Sequence, residues 1–207
     1  MTKLEAIRLI AQRTGRRPPA ALETNGIGMA ADIERVLDDE ELRIQQEGWA
    51  YNVRVNATIA RDSNNRVPLP TGTLWIDTDR EDVWRDVTQL GGFLYDRENN
   101  VDTFDGSLRC TYCLRYEFDC IPSHVQEYIV ACTATQYNLQ YGSPMDKKAL
   151  YYPLEEQQVR SKVRARQIDS DIRDVNLLKT AEARRILGDR NSGYGFAARE
   201  PMTGLPT

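Results

Sequence analysis

Cys110-Thr111-Tyr112-Cys113 is the sharpest local pattern in the chain, and two further thiols, Cys120 and Cys132, follow it. Four cysteines with a CxxC pair are a possible donor set for zinc, and a CxxC at a helix start would be a redox pair. The neighbouring residues argue against both. Leu108, Cys110, Tyr112, Leu114 and Tyr116 alternate with Arg109, Thr111, Cys113 and Arg115. A strand of that pattern sends Cys110 and Cys113 to opposite faces. No turn residue lies between them to fold both onto one ion. The plainer reading makes Cys110 and Cys132 small buried apolar side chains.

His124 is the single histidine and stands where a helix should start. Catalysis there needs a nucleophile and an orienting acid. The chain has no G-x-S-x-G elbow, no Walker loop and no G-x-G-x-x-G. His124 is therefore expected on the surface. Asp38-Asp39 and Glu155-Glu156 fall at helix surfaces or starts, where acids suit the dipole. No carboxylate pair stands out as an acid/base couple. The expectation is no catalytic residue, no cofactor and no metal site. The densest basic run is Arg160, Lys162, Arg164 and Arg166, with Glu156 four before Arg160. It is either a solvated helix face or a contact surface for an acidic partner or DNA phosphates.

The 207 residues suffice for one domain or two small ones with a core that needs no staples. A net charge of -4 argues against general nucleic-acid affinity, though not against a local basic patch. No apolar run is long enough to span a membrane, and MTKLEAIRLIAQRTGRR carries charges inside its apolar stripe, unlike a signal peptide. A cytoplasmic setting with reduced thiols is expected.

The elements that must position these residues follow from period and punctuation. Residues 3 to 13 form a first helix with Leu4, Ile7 and Ile10 or Ala11 inward, ended by Gly15. A loop through Gly26 and Gly28 leads to a second helix, Met29 to Glu47, with Met29, Ile33, Val36, Leu37 and Ile44 inward. Gly48 stops it. From Trp49 the period becomes two, with Trp49, Tyr51, Val53, Val55, Ala57 and Ile59 on the apolar face of a strand. Gly48 supplies a left-handed cap, and Trp49 either pins helix to sheet or is simply a core Trp. Thr73 to Asp77, the FLYD segment after Gly91-Gly92, and Leu108 to Tyr116 complete a small, mostly antiparallel sheet. Ser123 and Gln126 match an S-x-x-Q capping box for a helix ending near Tyr141-Gly142, with Val125, Tyr128, Ile129, Cys132 and Leu139 as its stripe. Pro144 marks a break, and Pro153 suits the first turn of a last helix from about Leu154 into the 170s. Its thin stripe is Val159, Val163, Ile168, Ile172 and Val175. A short helix, Ala181 to Leu187, and a Gly/Pro-rich tail follow.

The fold class expected is α+β: a helical bundle with an inserted small antiparallel β-sheet and an extended C-terminal tail. Residues 1–48 and 121–178 form the helical part, 49–120 the β part, and 179–207 a C-terminal extension that contacts partners.

Three stretches in their order carry a resemblance. IQQEGWAYNV (44–53), FLYDRENNVDTFD (93–105) and IPSHVQEYIVACTATQYNLQYGSP (121–144) resemble the tail tubular protein A family, the head-to-tail adaptors of short-tailed, podovirus-type bacteriophages. The match runs from about residue 3 to 175 and is weakest after about Leu178. The family pattern has aliphatic residues near Cys110 and Cys113. The resemblance implies a structural virion protein without catalysis, assembled in the host cytoplasm. It implies a dodecameric ring between the portal and the tail nozzle, with tail fibres at the junction and a channel for DNA ejection. A cyclic head-to-tail ring needs two different patches per subunit. Twelve copies would sum to roughly -48, an acidic ring that repels DNA if its acids line the channel. The residues expected to matter are Gly48 and Trp49 at the corner, Arg160 and Arg164 on the last helix, and Tyr194 and Phe196 as anchors in the tail. Two alternatives are an adaptor with added cell-wall or polysaccharide hydrolase activity and a zinc-dependent nucleic-acid-binding protein.

Overall fold

The computed structural model describes residues 1–21, 27–78 and 86–172. Helix α1 is Lys3–Arg13, started by a reciprocal cap in which Glu5 N donates to Thr2 Oγ1 at 3.3 Å and Thr2 N to Glu5 Oε2 at 2.7 Å. Its buried face is Ala6, Ile7, Ile10 and Ala11. Helix α2, Met29–Gln46, buries Ala30, Ile33, Val36, Leu37 and Ile44 against it. Helix α3, Ser123–Tyr141, is buried almost all round and packs on both. Helix α4, Pro144–Ile172, is the longest element.

The strands are β1 (Val53–Ile59), β2 (Thr73–Thr78), β3 (Val87–Leu90), β4 (Phe93–Asp96) and β5 (Leu108–Leu114). They make an antiparallel sheet in the order β1-β5-β2 and a separate β3-β4 hairpin. Gly91 and Gly92, at φ 59° and 83°, form the two-residue hairpin turn, a conformation that suits glycine. Val67, Val87, Leu94, Phe104, Leu108 and Cys110 form a second, smaller core in the β region. The class is α+β. Met1–Asp169 is one compact unit; of the second, Ser170–Thr207, the described residues are Ser170–Ile172.

Five local expectations are corrected. First, Trp49 is not on the strand: residues 49–52 form a turn, the strand begins at Val53, and Trp49 belongs to the helical core. Second, alternation in β1 breaks. Between the pairs Arg54↔Tyr112 and Ala57↔Cys110, Val55 and Asn56 face Thr111 alone, a bulge that turns Val55 outward to 65% exposure. Third, Ser123 caps nothing. The α3 N-cap is Pro122 without a side-chain bond, and buried Gln126 instead donates to Phe118 O at 2.7 Å and Met1 O at 3.0 Å. An amide that close to a buried turn satisfies the turn rather than its own helix end. Leu139, placed on the inward stripe, is exposed, while Ala131, Ala134 and Tyr137 are buried.

Fourth, α4 starts at Pro144, ten residues before Leu154. Ser143 and Asp146 exchange cap bonds, Asp146 N to Ser143 Oγ at 3.1 Å and Ser143 N to Asp146 Oδ2 at 3.3 Å. Pro153 lies inside the helix. Its missing N–H frees a carbonyl one turn back at Ala149, and both residues are exposed, where water can satisfy it. Fifth, the thin stripe expected on α4 is not its buried face, and only Ile168 of it is half-buried among the described residues. Val159, Val163 and Ile172 are exposed, and the buried positions are Leu154, Ala165 and Asp169. Val175 and the Ala181 to Leu187 helix lie outside the described residues.

Candidate assembly interface and the corner that positions it

The α2 to β1 corner is densely bonded. Gly48 adopts φ +72°, and a Cβ there would stand 3.2 Å from both Trp75 Cζ2 and Val53 Cγ2. Glycine is needed both for the conformation and for the space. Trp49 is fully buried. Its Nε1 donates to Ile44 O at 2.7 Å, and its ring packs at 6.1 Å on Tyr128 of α3. On its other side the Arg166 guanidinium lies 3.9 Å from the ring centroid, while Arg166 Nη2 donates to Glu47 Oε2 at 2.6 Å.

Two amides hold the corner from within. Trp49 N donates to Asn52 Oδ1 at 2.7 Å, and Asn52 Nδ2 to Gln45 O at 2.9 Å. Asn52 O accepts from Leu114 N at 2.9 Å. Gln45 Nε2 donates to Tyr116 O and Gln45 Oε1 accepts from Tyr116 N, both at 2.8 Å. Its side chain thereby acts as one more rung beside β5. Trp75 Nε1 reaches Gln46 O at 3.0 Å, and Ala50 N donates to Asp169 Oδ1 of α4 at 2.6 Å. One turn of chain thus ties α2, α3, α4 and the sheet together.

Gln45, Asn52, Trp75, Arg166 and Asp169 were not singled out from the sequence as corner residues. A buried Asn or Gln breaks no hydrophobic period and so leaves no signal. Only the pairing of Gly48 with Asn52 just before a strand offered a hint.

Of the basic run, Arg160 pairs with Glu156 at 2.5 Å and Arg164 with Glu127 at 3.3 Å, and both cations are mostly exposed. They line one shallow groove with Arg13, Glu127, Ala131 and Gln157. Exposed pairs of this kind add little stability. The structure does not bring Arg160 and Arg164 to the Gly48-Trp49 corner; Arg166 reaches it. Tyr194 and Phe196 lie outside the described residues.

A model of the tail tubular protein family matches residues 4–189. The chain belongs to that family. Among curated proteins none matches it. It is a structural component of a phage tail.

Cys110 packs in the β-region core, whereas Cys113 Sγ donates to Gln45 O at 3.3 Å on the opposite face of the sheet. They cannot hold one ion. Burial pushes the Cys113 thiol up to about 11 and Cys132 to about 12, so neither carries a thiolate at neutral pH. His124 is half-buried rather than on the surface, its Nε2 without a hydrogen-bond partner, and burial lowers its pKa. Among the described residues no helix is long and apolar enough to cross a membrane.

Two substitutions test the corner. Trp49→Ala removes the ring that α3 and Arg166 pack on, and urea unfolding should show a loss of about 3–5 kcal/mol. Trp49→Phe keeps an aromatic ring but loses the bond to Ile44 O, and should lose less, about 1–3 kcal/mol. Equal stability for all three chains would remove Trp49 from its role. Glu41, almost fully buried beside Gln45, has its carboxyl raised, chiefly by burial and against the pull of Arg115. A raised acid binds its proton more tightly folded than unfolded. Ionising it therefore weakens the fold as pH rises through and above the ordinary Glu range near 4.5. Glu41→Gln should raise Tm at pH 7, and the gain should vanish towards pH 4. A gain that is constant with pH would contradict the assignment.

Proposed function

We propose that this tail protein is a head-to-tail adaptor. Copies close into a ring, a dodecamer by the resemblance to its family, between the portal and the tail nozzle. Tail fibres attach around the junction and DNA passes through the channel during ejection. The ring assembles in the host cytoplasm. The observation that carries this reading is the family match over residues 4–189, nearly the whole chain. The bonding of the corner supports it physically. A cyclic head-to-tail ring closes only if each copy repeats the same angle between its two contact patches. A corner held by hydrogen bonds to α2, α4 and two strands of the sheet limits that angle to one value.

The helical part, residues 1–48 with 121–178, and the β part, 49–120, supply the separate surfaces of the ring. The 179–207 extension reaches the portal, with Tyr194 and Phe196 as aromatic anchors. Arg160 and Arg164 serve contacts with neighbours or partners. The net charge of -4 favours sliding rather than gripping of DNA by the assembled channel.

Electron microscopy of the purified protein, alone and mixed with its phage's portal ring, tests the reading. A second ring stacked on the portal is the expected result. An intact portal with nothing bound beneath it would overturn the adaptor role.

A further inference from the structure

Four exposed apolar side chains stand on one face of α4. Met145 is 82% exposed, Tyr152 76%, Val159 56% and Val163 62%. At 100° per residue they fall within one narrow sector of the helix, which also holds Ala149 and Glu156, so they share a face. Scattered exposed apolar residues need no explanation, but four large ones aligned on one face mark a contact surface. The surrounding charge is positive. Over residues 147–166 stand Lys147, Lys148, Arg160, Lys162, Arg164 and Arg166 against Glu155 and Glu156; of these, Arg160, Arg164 and Arg166 are paired within the subunit with Glu156, Glu127 and Glu47.

The β3-β4 hairpin and the turn after it have the opposite character. Over residues 96–105, Asp96, Glu98, Asp102 and Asp105 face a single cation, Arg97, which is itself engaged by Asp86 at 2.5 Å. Glu98, Asp102 and Asp105 are exposed. Beside them stand exposed apolar groups, Leu90 at 61% and Val101 at 39%. Leu90, Phe93 and Asp102 line one shallow depression with Arg66, whose guanidinium lies 4.0 Å from the Phe93 ring centroid. The hairpin and its turn are therefore an exposed apolar patch with a mostly acidic rim, and the α4 face is an apolar stripe with a mostly basic rim.

We infer that the α4 stripe of one copy receives the β3-β4 hairpin and the 97–105 turn of the next copy. This contact rests on the ring reading and gives it its two patches. It is heterologous, joining different surfaces of identical chains, as a cyclic ring requires. The apolar groups supply the buried centre. The opposed rims set register and exclude the like-charged pairings of helix on helix and hairpin on hairpin. Duplex DNA would use the cations but leave Met145, Tyr152, Val159 and Val163 uncovered, which favours a protein occupant.

Ring formation by the full chain, alone and on the portal, is read by electron microscopy and sedimentation for four variants. Val163→Asp places a charge in the stripe and should cut the ring fraction at least tenfold. Because Val163 is exposed in the single subunit, its circular dichroism and Tm should be unchanged. The hairpin set Glu98→Lys, Asp102→Lys and Asp105→Lys should likewise lose rings, as should the helix set Arg160→Glu and Arg164→Glu. A chain carrying both sets restores opposite charge and should regain rings. If the wild type forms no ring in either condition, the ring reading fails and this contact with it. If the wild type forms rings and Val163→Asp forms them equally, the contact is wrong while the ring reading stands. If Val163→Asp loses rings but the hairpin set keeps them, the hairpin is not the occupant.

Discussion

The side-chain amide of Gln45 exchanges two hydrogen bonds with the main chain of Tyr116, both at 2.8 Å, and through them the last turn of α2 is joined to the chain leaving β5. Gln45 has no contact with water. In that setting a lost partner leaves a buried polar group stranded, at a cost of about 1–3 kcal/mol for each. The arrangement is therefore held by what breaking it would strand, more than by what making it gains. Asn52 extends the same constraint. Its side chain bridges Trp49 N and Gln45 O while its backbone carbonyl accepts from Leu114.

Around these two amides the apolar packing is arranged as a consequence. With the α2 end fixed, Trp49 lies against Tyr128, and Arg166 and Asp169 of α4 hold the turn. The two hydrophobic cores, one among helices and one in the β region, need no apolar bridge if this polar joint fixes their relation. A phage tail protein that repeats in a ring must present its surfaces at the same angle in each copy. A joint with directional bonds meets that need better than an oily contact, which tolerates sliding. The cost is sensitivity: the joint has many members, and each depends on the others.

Much of the fold was legible because its signals are periodic or punctuated. The ends of α1 and α2, the stop at Gly48 and the body of α3 all follow from apolar spacing and glycine placement. What was not legible is polar and buried, or depends on a neighbour. Gln126 fits an S-x-x-Q box equally well whether it caps Ser123 or, as here, serves Met1 and Phe118. Pro153 reads as a helix start because proline favours the first turn, yet an exposed helix face also tolerates it. Val55 breaks the β1 alternation through a bulge against Thr111 that no property of its own residue type announces. The α4 stripe is the most instructive case. At 100° per residue Val159 and Val163 share a face while Ile168 and Ile172 fall on the opposite side, so the spacing of that stripe does not define one apolar face. At the corner, Gly48 and Trp49 were visible as a stop and a bulky side chain, whereas Gln45 and Asn52, which hold them, resemble surface residues in sequence.

The most direct test of the joint is native-state hydrogen exchange of the amides it holds, those of Trp49, Val53, Leu114 and Tyr116. If the corner unites the helical and β parts in one cooperative unit, these amides exchange only through global unfolding, with the same free energy and denaturant dependence as Ile129 and Cys132 in α3. Exchange orders of magnitude faster, through an opening that leaves α3 protected, would show a hinge at this point and contradict the account.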